Sequence, residues 1–368
     1  SKMKLLFDLN HPAHFHLFKY VIKGLSEQHE ILVTAKKKDV LHDLLLKNGL
    51  TFKLLETKER RKGLFYSALS QIKRDYKLLS VVKKFKPDLL IGTSISITHV
   101  GKWKSIPSLY FGEDGYKAVP LSYRIGYPFA SYIVAPSITS VGKYAYKQIS
   151  YNGYHELAYL NQENFIPDKG IFSELGLEYG DRYTIIRFSA LIAHHDTNIK
   201  GMNSSFVERL IHLMNKYGKV FITTEKELDK KFNSYRLSIS ADRIHHAIYY
   251  ADAYVGDSQT MAAEAAVLGT PSFRISDFVG ILKYLDELEE KYQLTHGYLS
   301  TEADLALPLI EKVLNSNDIR NDYRIRANEM FKDKINVRDF FTWLISNFPE
   351  SIKTLESNSD YSNNFYKK

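Results

Sequence analysis

The stretch Tyr254-Val255-Gly256-Asp257-Ser258-Gln259-Thr260-Met261-Ala262-Ala263-Glu264-Ala265-Ala266-Val267-Leu268-Gly269-Thr270-Pro271 decides how this chain is read. The apolar run Ala253-Tyr254-Val255 predicts a strand, and small, polar residues follow it. An Ala-rich segment with helical spacing comes next and stops at Gly269, with Pro271 two residues beyond. Glycine after the last periodic residue, then proline, marks a helix C-terminus. Strand, tight turn and helix therefore meet at residues 256–260, where the first amides of the helix lack an internal acceptor. Free N–H groups and the positive pole of the helix dipole converge at such an end and suit a phosphate. Glu264, one turn in, is placed to reach the hydroxyls of a ribose joined to that phosphate. An ordinary βα unit with a polar turn reads the same way, so the rest of the chain has to separate the two.

Working outward, the same strand–helix alternation recurs. Residues 3–9, 30–35, 51–55, 87–92, 107–111 and 132–136 predict strands, with helices over 15–28, 39–46 and, long and basic, 64–85. Between about 150 and 168 the pattern breaks into turn-forming, polar sequence, which places a domain boundary there. The alternation restarts with strands at 183–188, 220–224 and 272–275 and helices at 206–217, 244–250, 305–314 and 322–331. The expected organisation is an N-terminal Rossmann-like domain over 3–160 and a C-terminal one over 168–335. A closing helix over 336–350 and a disordered Asn/Ser-rich tail over 356–368 complete it. The fold class is α/β, with two doubly wound domains facing across a cleft and right-handed crossovers between parallel strands.

Composition narrows the function classes. With 368 residues there is room for two cores of ordinary size, and no cysteine is present. Disulfide frameworks, thiolate metal sites and cysteine nucleophiles are excluded. Ser1-Lys2 ahead of Met3 is expected to be foreign to the natural start. No signal peptide follows, and no run approaches the roughly 18 apolar residues of a spanning helix, so a cytoplasmic location is expected. The formal charge of +8 suits a solvated basic surface, a polyanionic ligand or an anionic membrane face. Aromatic and basic residues mix in residues 60–66 and 73–77, which favours a membrane interface or a saccharide over nucleic acid. The absence of a nucleic-acid recognition motif points the same way.

Ligands of doubly wound sheets bind beyond the carboxyl ends of the strands, and polar residues collect at these ends. The N-terminal half offers His11, His14, Thr93, Ser94, Glu113 and Asp114; the C-terminal half offers Arg187, Thr223, Thr224, Glu225 and residues 256–260. His11-Pro12-Ala13-His14 with His16 puts three imidazoles at the start of a helix, suited to a general base or a phosphate partner, or else to a plain turn with exposed histidines. With no cysteine and no acidic cluster beside them, a metal is not expected. Arg187 presents a fork that fits a diphosphate as well as a surface carboxylate. His194-His195-Asp196 reads as a loop over the site, with His194 the candidate that faces it. Residues 152–156 form a turn, expected to need positive φ at Gly153, or else to line the cleft through Tyr154, His155 or Glu156.

These residues resemble a known pattern. Gly256-Asp257-Ser258-Gln259-Thr260-Met261 with Glu264-Ala265-Ala266-Val267-Leu268-Gly269-Thr270-Pro271 is similar to the nucleotide-diphosphate site of GT-B glycosyltransferases, among them the enzyme that makes lipid II. It is similar too to the site of non-hydrolysing UDP-N-acetylglucosamine 2-epimerases. Together with His11-Pro12-Ala13-His14 and the block Tyr151 to Leu160, it resembles more closely a GT-B-like family of unassigned function, over about residues 3 to 345. The resemblance implies that Ser258, Gln259 and Thr260 hold a diphosphate, Glu264 the ribose and Ile244 the base through its backbone. It implies also that the His11 loop faces the acceptor. Two departures stand out. The Gly-rich turns usual after the first strand of each half are replaced by Asn10-His11-Pro12-Ala13-His14 and Phe188-Ser189-Ala190. The Gly-Thr-Arg of the epimerase first loop is absent.

The expectation is therefore a metal-independent glycosyltransferase that needs no cofactor. It would move a sugar from a nucleotide-diphosphate donor, most plausibly a UDP-sugar, to a glycan or lipid-linked acceptor of a surface polysaccharide. His11 or His14 would act as base, and the enzyme would sit peripherally at the inner membrane face. The alternatives are a UDP-sugar epimerase or hydrolase, and a non-catalytic binding subunit.

Overall fold

The computed structural model describes residues 1–9, 11–36, 39–50, 52–55, 63–189 and 201–366. Two compact units emerge, one running to Tyr159 and taking in the chain from Lys334 onward, the other spanning Leu160–Asp333.

In the first unit, seven strands form one parallel sheet: β1 (Lys4–Leu9), β2 (Glu30–Ala35), β3 (Phe52–Leu54), β4 (Leu89–Gly92), β5 (Ser108–Phe111), β6 (Tyr132–Pro136) and β7 (Gln148–Tyr151), in the order β3-β2-β1-β4-β5-β6-β7. Helices α1 (Pro12–Leu25), α2 (Asp39–Lys47), α3 (Leu64–Phe85) and α4 (Ile95–Lys104) make crossovers. Leu5, Leu6 and Phe7 are wholly buried, as are Leu89, Leu90 and Ile91; near-continuous apolar runs of this kind mark strands covered on both faces. Strand order reverses between β1 and β4, which pair with Asp8 opposite Gly92. A Cβ at Gly92 would lie 2.5 Å from the Asp8 carbonyl oxygen, so only glycine lets these strand ends approach.

The second unit carries α5 (Ile171–Glu174), β8 (Tyr183–Arg187), α6 (Ser204–Met214), β9 (Lys219–Thr223), α7 (Ile244–Tyr250), β10 (Tyr254–Gly256), α8 (Gln259–Val267), β11 (Ser272–Ile275), α9 (Lys283–Glu290), β12 (Thr295–Tyr298), α10 (Leu307–Leu314) and α11 (Asn317–Asp333). Its five parallel strands run in the order β12-β11-β10-β8-β9, a doubly wound order that reverses between β8 and β10. Ala262, Ala263, Ala265, Ala266 and Val267 of α8 are wholly buried; alanines keep this helix thin enough to lie inside the unit. Gly269 ends it at φ +76°, and the Thr270 amide donates to Ala265 O at 3.0 Å, a left-handed cap that glycine adopts without a Cβ penalty.

Helix α12 (Val337–Ser346) returns to the first sheet, with Phe341 edge-on to Phe111 and Tyr151 at 4.9 and 5.0 Å. Two expectations change here. Gly153 has no positive φ; it is required because a Cβ would lie 2.5 Å from Val337 Cγ2 on α12. The tail is not structureless: α13 (Glu350–Ser357) is followed by a 3₁₀ turn, Tyr361–Phe365. Tyr361 stacks on Trp343 at 4.7 Å, and Phe365 meets Phe340 at 5.5 Å. Aromatic contacts with α12 hold a segment whose polar composition suggests disorder.

Candidate functional site

The two switch points are where each sheet offers a crevice to a ligand, and each carries an aspartate, an arginine and a helix-capping serine. At the C-terminal one, β10 ends at Gly256, whose absent side chain admits Tyr254 Oη and Arg187 Cβ; a Cβ there would lie 2.2 and 2.7 Å from them. Asp257 turns back and accepts from the Ser189 amide at 3.0 and 3.2 Å. Burial raises its carboxyl pKa, against the pull of Ser189 and the nearby Arg187. Ser258 is the N-cap of α8, its hydroxyl accepting from the Met261 amide at 3.3 Å. The amides of Gln259 and Thr260 are left at the open end of the helix.

Arg187, last residue of β8, pairs with Gly256 across the strands, and its side chain is 14% exposed. Its terminal nitrogens lie 3.5 Å from Thr223 Oγ1 and 3.7 Å from Glu225 Oε1, and its Nε is buried without a hydrogen-bond partner. Both amide atoms of Gln259 are likewise buried and unpartnered. Buried polar groups of folded proteins are hydrogen-bonded with few exceptions; here the Arg187 and Gln259 orphans lie beside one helix N-terminus.

One turn along α8, Glu264 is 5% exposed and its Oε2 is engaged by His245 Nε2, the second residue of α7. Ile244 opens that helix, and His246 accepts from the Asp168 amide at 3.0 Å while packing on Phe165. The two adjacent histidines thus point to different partners.

At the N-terminal switch point His11 caps α1, its Nδ1 accepting from the Ala13 amide at 3.2 Å. The His11 and His14 rings lie 5.9 Å apart, and Thr93 Oγ1 lies 2.5 Å from His14 Nδ1 and 3.1 Å from Nε2. Beneath them Asp8 is wholly buried. It accepts from Arg74 at 2.5 Å, Thr34 at 2.8 Å and Ser94 at 2.5 Å.

Residues 3–322 match the family described as "Protein of unknown function (DUF354)". The chain belongs to this family. No curated protein matches it in sequence. Among solved structures it resembles S. aureus MnaA, solved with UDP, at 13% identity and TM-score 0.66 over 96% of this chain and 97% of that one. It also resembles the UDP-N-acetylglucosamine 2-epimerase of Rickettsia bellii (15%, TM-score 0.63, 95% and 99%) and the spinosyn rhamnosyltransferase SpnG (13%, TM-score 0.58, 97% and 100%). At these identities the likeness is one of fold: GT-B, with two Rossmann-like domains.

In this DUF354 chain the expected residues separate into groups. His11, His14 and Thr93 come together at one switch point, and Arg187, Thr223, Glu225, Ser258, Gln259 and Thr260 at the other. Ser94, read as an acceptor-side residue, is 2% exposed; it caps α4 and donates to Asp8, which commits its hydroxyl to the fold. Tyr154 and His155, read as lining a cleft, are buried at 0% and 7%. The Tyr154 ring lies under Lys334 Nζ at 5.0 Å, and Tyr151 Oη sits 2.6 Å from His155 Nδ1. Burial lowers the His155 pKa to about 3, so this ring is neutral. Glu113 Oε2 accepts from the His155 amide at 2.6 Å. Burial raises the Glu113 pKa well above the usual range, and its hydrogen-bonded neighbour Glu156 raises it further. Asp114, beside it, is solvent-exposed. His194 lies outside the described residues. Sequence reasoning took in Asp257 only as part of the polar run 256–260 and gave neither it nor His245 a role of its own; the signal for Asp257, an acid directly after a strand-ending glycine, was present.

Proposed function

We propose that the protein is a glycosyltransferase that moves a sugar from a UDP-sugar to a glycan or lipid-linked acceptor of a surface polysaccharide. One observation carries the reading: the open N-terminus of α8 has an unpartnered Arg187 Nε and an unpartnered Gln259 amide beside it. In this reading the Gln259 and Thr260 amides, Ser258 and Arg187 hold the diphosphate, with Thr223 and Glu225 steadying the arginine. Glu264, oriented by His245, takes the ribose, and the backbone at Ile244 meets the base. On the N-terminal domain His14, or His11 beside it, takes the proton of the acceptor hydroxyl. The freed oxygen forms the new bond to the anomeric carbon as the bond to the diphosphate breaks. Arg187 and the helix amides offset the charge on the departing UDP, the electrostatic contribution that dominates such catalysis.

Calorimetry with UDP tests this. Wild type binds, Arg187→Ala and Glu264→Ala bind much more weakly, and His14→Ala binds normally while losing transfer. Failure of UDP, GDP and CMP alike to bind wild type, or tight binding by Glu264→Ala, overturns it. A second reading, turnover of a UDP-sugar without an acceptor, is favoured by the Glu113 carboxyl, which burial and its neighbour Glu156 hold well above its usual pKa. Free UDP or an epimerised sugar nucleotide formed by the protein alone would select it.

A further inference from the structure

Helix α3 is apolar on the wrong side over its first half. Leu64 is 91% exposed, Phe65 71%, Ile72 50% and Tyr76 63%, and Leu69 is exposed too. Phe65, Leu69, Ile72 and Tyr76 follow the i, i+4, i+7, i+11 spacing of a single helical face. Over the same half the inward face is polar: Arg74 and Asp75 are buried, Arg74 on Asp8 and Asp75 on His99 at 2.7 Å. A surface helix of a soluble domain normally shows the reverse pattern. Its neighbour α4, tied to it through Gln71–Ser96 and Asp75–His99, exposes Trp103 at 55%, and the His99 ring packs against Trp103 and the exposed Phe129.

The charges around these side chains have one sign. Lys73, Lys77, Lys83 and Lys84 on α3 and Lys102 and Lys104 on α4 are exposed. The single acid in either helix is Asp75, which is buried and held by His99. We infer that this face docks on a bilayer surface containing anionic phospholipid. Phe65, Leu69, Ile72, Tyr76 and Trp103 enter the headgroup boundary while the lysines meet the phosphates. A second copy fits worse, because a two-fold interface would bring six lysines against themselves. Among the described residues no helix is long and apolar enough to cross a membrane, so the contact is peripheral. The inference adds a place of work to the transferase reading, where a lipid-linked acceptor would be found, and its test is independent of nucleotide.

The full chain is sedimented with vesicles of phosphatidylcholine alone and of phosphatidylcholine mixed with phosphatidylglycerol. Binding to the mixed vesicles should exceed binding to the neutral ones by about tenfold or more and should weaken in high salt. Phe65→Ser with Ile72→Ser, and separately Lys73→Glu with Lys77→Glu, should each lower it by roughly tenfold. Circular dichroism and Tm should stay unchanged, since all four side chains are exposed. No binding to the mixed vesicles, or binding undiminished in both double variants, overturns the inference. So does a dimer in light scattering that the Phe65/Ile72 variant dissolves, which would assign the face to a second copy. UDP titration of the same samples keeps the readings apart. Vesicle binding without UDP binding sinks the transferase alone, and UDP binding without vesicle binding sinks the docking face alone.

Discussion

The two switch points are built from the same residue types and use them in opposite ways. At the first, Asp8 receives Arg74, Thr34 and Ser94, and the arginine is drawn into the core. At the second, Asp257 takes hydrogen bonds from Ser189, while the Arg187 terminal nitrogens stand 3.5 Å from Thr223 and 3.7 Å from Glu225 and both amide atoms of Gln259 stay buried and unpartnered. The first arrangement is a brace that holds the His11–His14 loop over a rigid floor. The second leaves its donors unspent, the condition for binding an anion without first breaking internal bonds. An identical Asp–Arg–Ser inventory therefore yields a support in one domain and, in the function proposed above, a receptor in the other.

The largest effect expected tests the brace. Asp8→Ala leaves the Arg74 guanidinium buried without its partner, which should cost about 3–5 kcal/mol of stability, read as a fall in the urea midpoint. Ser94→Gly, which removes one donor to the same carboxylate, should cost about 1.5–3 kcal/mol. If Asp8→Ala instead left stability intact and abolished activity, the first switch point would have to be redrawn as a binding site.

Arg187→Ala should do the opposite. Its ion pair with Glu225 is long, at 3.7 Å, and half exposed, so folding stability should change little. UDP affinity should fall by about 10–100-fold, the worth of roughly 1.5–3 kcal/mol for hydrogen bonds to a charged group. Calorimetry and thermal unfolding of one preparation read both sides of this contrast.

Local signals made the turn between β10 and α8 legible in the sequence and left the brace hidden. Gly256 to Ser258 and Gly269 to Pro271 bracket a helix with cap chemistry that acts over a few residues, and α8 runs between them as Gln259–Val267. Arg74 lies 66 residues from Asp8 and Thr93 lies 79 from His14; no periodicity encodes such pairings. Arg74 sits in a basic helix that reads as solvated surface, and Ser94 looks the same as a ligand-binding serine until the partner of its hydroxyl is known. Helix α4 escaped because Ile95–Lys104 opens Ile-Ser-Ile-Thr, β-branched residues alternating in the manner of a strand. The tail misled for a related reason: Trp343 captures Tyr361 across a gap in sequence that composition does not measure.

Gln259→Leu sharpens the idea of unspent donors. Replacing an amide whose two polar atoms are buried and unpartnered by an apolar side chain of similar size removes a desolvation cost. The ligand-free protein should gain about 1 kcal/mol in stability. UDP affinity should fall, so the variant would be more stable and less competent. A stability gain with UDP affinity unchanged would mean that the ligand never uses this side chain.

The smallest effect expected separates the two capping serines. Ser258 Oγ accepts from the Met261 amide at 3.3 Å, with no buried carboxylate waiting on its hydroxyl as Asp8 waits on Ser94. Glycine is itself a fair N-cap, so Ser258→Gly should cost only a few tenths of a kcal/mol in folding, well below the loss from Ser94→Gly. The reason is electrostatic rather than conformational, since both changes remove the same hydroxyl from the same helix position. Equal losses at the two serines would mean that capping alone sets both values and that Asp8 finds its third donor elsewhere. A loss at Ser258 that is the same with and without UDP would place its hydroxyl on the protein side of the site only. A loss that grows under UDP would put it on the phosphate.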